Sequence, residues 1–329
     1  MLNKELHLDE NIFTNPQMGA TRDGYGKGLL NLAEKHDDVV VLTADLTEST
    51  RVDEFEKLYK DRFFECGVAE QNMAAVAAGL AVTGKKPYIS SYAAFSPGRN
   101  LEVIRTTIIY NGANVKIAGH HSGLMTAEDG ATHQAVEDIA VMRAIPGITI
   151  IVPSDGIEAR KAVEKSYDME GPTYLRFTRA NTPIMTTDKT PFNISENQTF
   201  WISQNPQASI FATGYLVYNS LIVAKELKNE GIDVNVINIS TIKNADNENI
   251  LKESFKTGAI VTVEDHQITG GLGGMISELL AKNIPTPMEF IGLQDTFGES
   301  GSPDQLLQKY HLDKDSIKEK VKKVISRKK

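Results

Sequence analysis

One cysteine, Cys66, stands in a chain of 329 residues. A single thiol excludes an intrachain disulfide framework and a cysteine-based metal cluster. No stretch approaches about 18 uninterrupted apolar residues, so no membrane-spanning helix is expected. The polar N-terminus, MLNKELHLDENIFTN, lacks the apolar core of a signal peptide. Basic excess is missing as well. Lys plus Arg number 35 against 43 Asp plus Glu, a formal charge of −8. That balance excludes a broadly basic nucleic-acid surface but leaves room for a local anion site. There is no G-x-G-x-x-G order, no Walker Lys-Ser/Thr, no short-period repeat and no low-complexity tract. What is present is ordinary globular composition, with 41% apolar and 24% charged residues. At roughly 150 residues per domain the length corresponds to about two domains. The expectation is a soluble, cytoplasmic protein.

The first half alternates short apolar runs (39–42, 87–92, 115–119, 148–153, 173–177) with helical candidates (24–36, 70–82, 100–110, 133–143, 156–167). β-branched runs bounded by Gly, Pro or Asp read as buried parallel strands, and their alternation with helices as βαβ units. Ser154 and Asp155 stand where an N-cap belongs before the last helix. From 181 to about 205 the pattern lapses into a Thr-, Asn- and Pro-rich segment that reads as a linker. A second series follows, with strands at 208–213, 233–239, 259–264 and 288–292 and helices near 218–230, 248–256 and 271–282. The fold class is therefore α/β, with two parallel-type open-sheet domains. The basic tail KEKVKKVISRKK reads as a solvated helix end.

Three places could carry chemistry. In FFECGVAEQNMAAVAAGLAVTG, a strand, a turn at Gly67 and an Ala-rich helix place Glu70 in the first helical turn. There it either stabilises the helix dipole or does chemistry. Three of the seven histidines, His120, His121 and His133, fall within 14 positions after the run VKIAG, in HHSGLMTAEDGATHQ. Loops beyond the carboxyl ends of parallel strands are where open α/β sheets bind ligands, and histidine can hold phosphates or move protons. The spacing does not order a metal ligand set. ITGGLGG brings Gly270, Gly271, Gly273 and Gly274 to a helix start, as a phosphate cradle or, more economically, as close packing. Cys66, in an apolar setting, reads as an inert thiol.

Taken in order, the segments GATRDGYGKGL, TADLTES, FFECGVAEQNMAAVAAGLA, SYAAFSPGR, HHSGLMTAEDGATHQAVEDIAVMRAIPG, VPSD and YLRFTRANTP resemble the C-terminal section of transketolase, encoded as a separate subunit. The second half resembles the family's closing domain around VEDHQITGGLGG. The resemblance implies a pyrimidine-binding domain at residues 12–190. It implies a transketolase C-terminal domain at residues 191–329, with a linker at 191–205.

It also implies a thiamine diphosphate enzyme that moves a two-carbon ketol unit from a ketose phosphate to an aldose phosphate, as in the pentose phosphate pathway. By this resemblance Glu70 is the glutamate that binds a ring nitrogen of the aminopyrimidine and promotes its proton-abstracting tautomer. Tyr92 and Phe95 match two aromatic members of the pyrimidine pocket. The Pro97-Gly98 stretch is one residue longer than the family pattern and leaves the third pocket member unassigned. Asp45 matches an acid on the thiazolium side. Arg22, Ser49, His121 and Arg179 match contacts to the substrate phosphate. Asp129 and His133 match contacts to sugar hydroxyls, with His133 also in a catalytic role. Paired guanidinium forks suit phosphate oxygens.

The family's GDG motif, which with a later Asn pair holds a divalent metal, is not in this sequence. The resemblance therefore implies no metal on this chain. It implies an N-terminal partner subunit that carries the GDG motif and holds Mg2+ or Ca2+, thiamine diphosphate shared between the two chains, and homodimerisation within an α2β2 assembly. No nucleic acid or membrane partner is expected. Two other thiamine-dependent readings stand beside it: half of a 1-deoxyxylulose-5-phosphate synthase-like enzyme, and a 2-oxo acid dehydrogenase beta subunit. From a different class comes a non-catalytic binding or regulatory partner that keeps the fold.

Overall fold

Six parallel strands and one antiparallel edge strand form the first sheet. In chain order the six are β1 (Val39–Thr43), β2 (Phe63–Glu65), β3 (Lys86–Tyr92), β4 (Lys116–His120), β5 (Thr149–Ile151) and β6 (Thr173–Arg176). A second sheet holds β7 (Gln198–Trp201), β8 (Ala208–Ala212), β9 (Val234–Asn238), β11 (Ile260–Gln267) and β12 (Met288–Leu293). The short β10 (Thr241–Lys243) leaves the second half and pairs antiparallel with β5. The orders are β10-β5-β6-β4-β3-β1-β2 and β12-β11-β8-β9-β7. The structure, a computed structural model, describes residues 1–328.

The alternating pattern becomes the expected α/β architecture because β1, β4, β5 and β6 are buried along their whole length, as strands covered on both faces must be. One face is covered by α1 (Thr21–Ala33) and α5 (Gly156–Ser166). These two helices meet backbone to backbone. A Cβ on Gly24 would sit 2.0 Å from the Gly156 carbonyl oxygen, and one on Gly28 2.8 Å from Val163 Cβ. The glycines of GYGKG thus exist for close approach. The Asp155 carboxylate caps α5 by accepting from Ile157 N and Glu158 N, as its position foretells.

The other face carries α3 (Glu70–Val82), whose Met73, Ala74 and Ala77 pack toward Ile104 and Ile108. The same apolar cluster runs on into the second half through Phe211, Ile237, Leu272 and Ile276. The two sheets therefore share one continuous core rather than meeting at a wet seam.

Four local expectations are corrected. Residues 100–110 form a short helical turn, Leu101–Val103, continued by a π-helical turn, Ile104–Ile109. The helix foreseen from 133 begins only at Asp138, as α4 (Asp138–Ala144). Residues 133–137 are held as a loop, because Ala135 bridges Ser122 and the Gln134 amide donates to the carbonyls of Ala127 and Glu299. The segment read as linker contributes β7, which pairs antiparallel with β9. The basic tail belongs to α10 (Lys314–Ser326). This helix buries Ile317, Val321 and Val324 and ties Lys320, Lys323 and Arg327 to Glu289. Among the described residues, no helix is long and apolar enough to cross a membrane, and no group of acidic, His or Cys side chains is arranged to hold a metal ion.

Candidate active site

The residues matched to the family's site lie in the loops beyond the carboxyl ends of the first sheet's strands, or at the adjoining start of α1 or α3, whereas the glycines of ITGGLGG follow a strand of the second sheet. The carboxyl ends of the strands are where an open α/β sheet opens its crevice. Asp45 follows β1, Glu70 follows β2, Tyr92 ends β3, His121 follows β4 and Arg179 follows β6. Arg22 is the second residue of α1.

Glu70 opens α3 behind Ala69, which offers no side-chain cap. The strand–glycine–helix sequence creates this position: Gly67 adopts φ 64° and turns the chain from β2 into α3. The carboxylate is only 2% exposed. The residue is held at its carboxylate and at its backbone. Arg99 Nη1 donates to both oxygens at 3.2 and 3.0 Å, and Asn100 Nδ2 donates to the Glu70 carbonyl at 3.1 Å. The Arg99 guanidinium also lies over the Phe95 ring, 5.1 Å from its centroid.

Tyr92 and Phe95 present near-parallel rings, 5.8 Å apart at 13°. His121 stacks on Tyr92 at 3.9 Å and 19°, and His133 meets Phe95 edge-on at 5.4 Å. Aromatic faces of this kind favour a flat heterocycle. A flat nitrogen donor, the guanidinium of Arg99, already lies against both Phe95 and Glu70. The residues therefore fit an aminopyrimidine, which asks for the same ring face and the same carboxylate.

His121 reaches its place through a left-handed backbone, φ 52°, directly after β4. Burial first, then Arg22 and Arg179, hold its imidazole down to about 3. It is neutral at physiological pH, and its buried Nδ1 has no protein partner. His120, fully buried between Tyr25 and Phe177, sits in the aromatic core rather than in the crevice.

Arg22 Nη1 donates to the Ser49 carbonyl at 3.1 Å, so the two phosphate-contact candidates from separate loops adjoin. Arg179 Nη1 donates to the Thr126 carbonyl at 3.0 Å and pairs with Asp129 at 3.2 Å and Glu128 at 3.5 Å. Arg179 and Asp129, expected to hold different parts of a substrate, thus hold each other. Asp45, with φ 60°, is exposed, and its backbone N–H donates to Glu65.

Sequence reasoning missed four contributors. Glu65 accepts from Asp45 N, Thr47 Oγ1 and Gly67 N, and so fixes both loops flanking β2. Arg99 and Asn100 hold Glu70. Asp265, from the second sheet, accepts the Leu124 N–H with both oxygens at 3.0 Å and anchors the loop that carries Asp129 and His133. Only Arg99 left a signal, its position beside the irregular Pro97-Gly98 stretch.

Two family descriptions match the chain: the transketolase pyrimidine binding domain over residues 17–185 and the transketolase C-terminal domain over residues 201–317. A chain from Methanocaldococcus jannaschii described as a transketolase C-terminal section is 41% identical over 307 residues, covering 91% of this chain and 94% of that one. A 6-deoxy-6-sulfo-D-fructose transketolase subunit from Clostridium sp. strain MSTE9 is 36% identical over 307 residues, covering 93% and 95%. A solved structure of a split gene transketolase, an inactive β4 tetramer, superposes with a TM-score of 0.88 at 39% identity, covering 94% of this chain and 99% of that one. The chain belongs to the transketolase family and carries its pyrimidine-binding and C-terminal domains.

Proposed function

We propose that this chain is the pyrimidine-side subunit of a split transketolase, working with an N-terminal subunit that holds Mg2+ or Ca2+ and the diphosphate of thiamine diphosphate. The observation that carries the reading is Glu70: a 2%-exposed carboxylate at a helix start, facing a flat donor against an aromatic ring. When bound, thiamine diphosphate supplies the cleavage and formation of the carbon–carbon bond beside a ketose carbonyl. Glu70 accepts or shares a proton at the aminopyrimidine ring nitrogen, and its burial keeps water from that exchange. Tyr92 and Phe95 orient the ring. Asp45 lies on the thiazolium side.

The substrate's anionic end meets Arg22, Ser49, His121 and Arg179, and Asp129 and His133 hold its hydroxyls. Four cationic or donor side chains would serve this anion although the chain as a whole is acidic. The clostridial relative supports a clamp for a terminal anion, since the sugar in its name bears a sulfo group at carbon 6. The solved relative, a split gene transketolase described as an inactive β4 tetramer, supports the need for a partner. An α2β2 assembly would bring two such sites together.

Reconstitution tests the reading. The isolated chain with Mg2+ and thiamine diphosphate is expected to show no tight cofactor binding by calorimetry. The complex with the N-terminal subunit is expected to transfer a two-carbon unit from a ketose phosphate to an aldose phosphate. Submicromolar cofactor binding by the isolated chain, or a complex that turns over plain 2-oxo acids but no sugar phosphates, overturns it.

A further inference from the structure

Arg99 touches the two groups that define the cofactor pocket. One nitrogen reaches both Glu70 oxygens, at 3.2 and 3.0 Å, while the guanidinium carbon lies 5.1 Å from the centre of the Phe95 ring. A guanidinium is planar, cationic and rich in N–H donors. In shape and hydrogen bonding it copies the nitrogen-bearing edge of an aminopyrimidine. Its environment is asymmetric: the Arg99 side chain is 53% exposed, whereas Glu70 is 2% exposed.

The backbone beneath it is fixed. Arg99 N donates to the Phe95 carbonyl at 2.8 Å. Asn100, fully buried, ties the next residue to Glu70 and to Ser96 Oγ. A Cβ on Gly98 would fall 2.0 Å from the Ala94 carbonyl oxygen, so the tight turn that delivers Arg99 admits only glycine there. Of the Arg99 guanidinium nitrogens, only Nη1 donates within the chain among the described residues, which leaves a solvent-facing arm anchored at its base by the backbone.

We propose that Arg99 is a gate on the pyrimidine pocket. Its guanidinium occupies the position against Phe95 and Glu70 that the aminopyrimidine takes, and cofactor entry requires it to swing out toward solvent. Closed, the gate gives the buried Glu70 carboxylate a partner and so avoids an uncompensated buried charge. Opening costs the half-exposed arginine little, because water replaces the carboxylate, and the cost to buried Glu70 is met when the entering aminopyrimidine takes the place of the guanidinium. The proposal rests on Glu70 and Phe95 being the pyrimidine pocket.

A gate makes a specific kinetic prediction. If the binding-competent state is only fractionally populated, apparent affinity falls by that fraction, and removing the gate restores it. For a gate closed about nine-tenths of the time, Arg99→Ala should tighten thiamine diphosphate binding about tenfold, and Arg99→Lys less, because an ammonium keeps the charge but not the plane. The gain should lie in the association rate, with dissociation unchanged.

The measurement is calorimetry and stopped-flow binding of thiamine diphosphate with Mg2+ to the reconstituted two-subunit complex, wild type against both variants, each checked for an unchanged melting profile. Faster association with unchanged dissociation supports the gate. Slower association, faster dissociation or no change in Arg99→Ala overturns it, the first two by making Arg99 a cofactor ligand. A wild-type complex that does not bind thiamine diphosphate removes the pocket and the gate together. One that binds normally while Arg99→Ala binds no faster removes the gate alone.

Discussion

Arg22 and Arg179 match equivalent phosphate contacts by sequence, yet the structure makes them unequal. Arg22 is half-buried, donates to a neutral carbonyl at Ser49, and keeps a buried Nε without a partner. No carboxylate forms an ion pair with it among the described residues. Arg179 already faces Asp129 and Glu128. An incoming anion therefore gains the full charged hydrogen bonds of Arg22 but must displace or share the carboxylates around Arg179. A hydrogen bond to a charged group contributes about 1.5–3 kcal/mol, so Arg22→Ala is expected to cost about 10–150-fold. Arg179→Ala should fall at the low end, about tenfold, since its loss also releases the Asp129 pairing. Both losses should appear as raised KM at nearly constant kcat, because the anion lies away from the reacting carbonyl and contributes uniform binding. Hydroxypyruvate, which has no terminal phosphate, should change less than about threefold in either variant. The assay is steady-state ketol transfer by the reconstituted complex with both donors. Equal losses for the two donors would remove the phosphate clamp. A larger loss from Arg179→Ala than from Arg22→Ala would refute the ranking drawn from the ion pairs.

Glu70→Gln should leave the melting profile close to wild type and lower kcat by about 10²–10⁴-fold, the usual contribution of an acid–base group; turnover within about threefold of wild type would end its assignment. His121 binds as a neutral donor, because its imidazole is held down to about 3, first by burial and then by Arg22 and Arg179. Its pKa is lowered, so His121 itself undergoes no protonation change between about pH 6 and 8 in the free site. His121→Asn, also a neutral donor, should stay within about threefold in KM for a sugar phosphate while His121→Ala loses about tenfold. A KM that rises steeply with pH across the usual histidine range in wild type but not in His121→Asn contradicts this. Asp138 and Arg176 form a buried pair, 2% and 4% exposed, 2.9 Å apart. Burial alone would raise the Asp138 carboxyl, but Arg176, together with His266 and the Tyr174 hydroxyl, holds the group below its ordinary range. Asp138→Asn should cost about 3–5 kcal/mol in denaturant unfolding of the complex, and a cost under about 1 kcal/mol would show that the pair is not a keystone.

Two local codes made most of the first sheet legible. Apolar runs ending at Gly, Pro or Asp gave β1, β3, β4 and β6 within about two residues. The Ser154–Asp155 cap gave α5, and the glycines of ITGGLGG proved to be packing glycines, one of them with Glu264 where a Cβ would sit. The failures share one cause: contacts distant in the chain overrode the local pattern. Residues 133–137 have helical periodicity, but the bridge from Ala135 to Ser122 and the reach of Gln134 to Glu299 hold them as loop. The Thr- and Asn-rich stretch after 190 reads as linker, yet β9 offers an open edge and β7 pairs there.

The candidate site divides in the same way. The family motifs name Glu70, Tyr92, Phe95 and the anion-facing side chains, but no motif states what holds them. The loop that carries Asp129 and His133 is anchored by Asp265, 141 positions beyond Leu124. Arg176, whose guanidinium is shared between Asp138 and the Asp265 carbonyl, binds that anchor back to the first sheet. The second half of the chain therefore bears on the chemistry without lending a side chain to it. It holds the loop of Asp129 and His133 through the Asp265 carboxylate, the Asp265 carbonyl that accepts from Arg176 of the first sheet, and the Glu299 carbonyl that accepts from Gln134. A substitution at Asp265 should in consequence act on the loop of Asp129 and His133 before it acts on Glu70, because no hydrogen bond joins Asp265 to Glu70, Tyr92, Phe95 or Arg99 among the described residues.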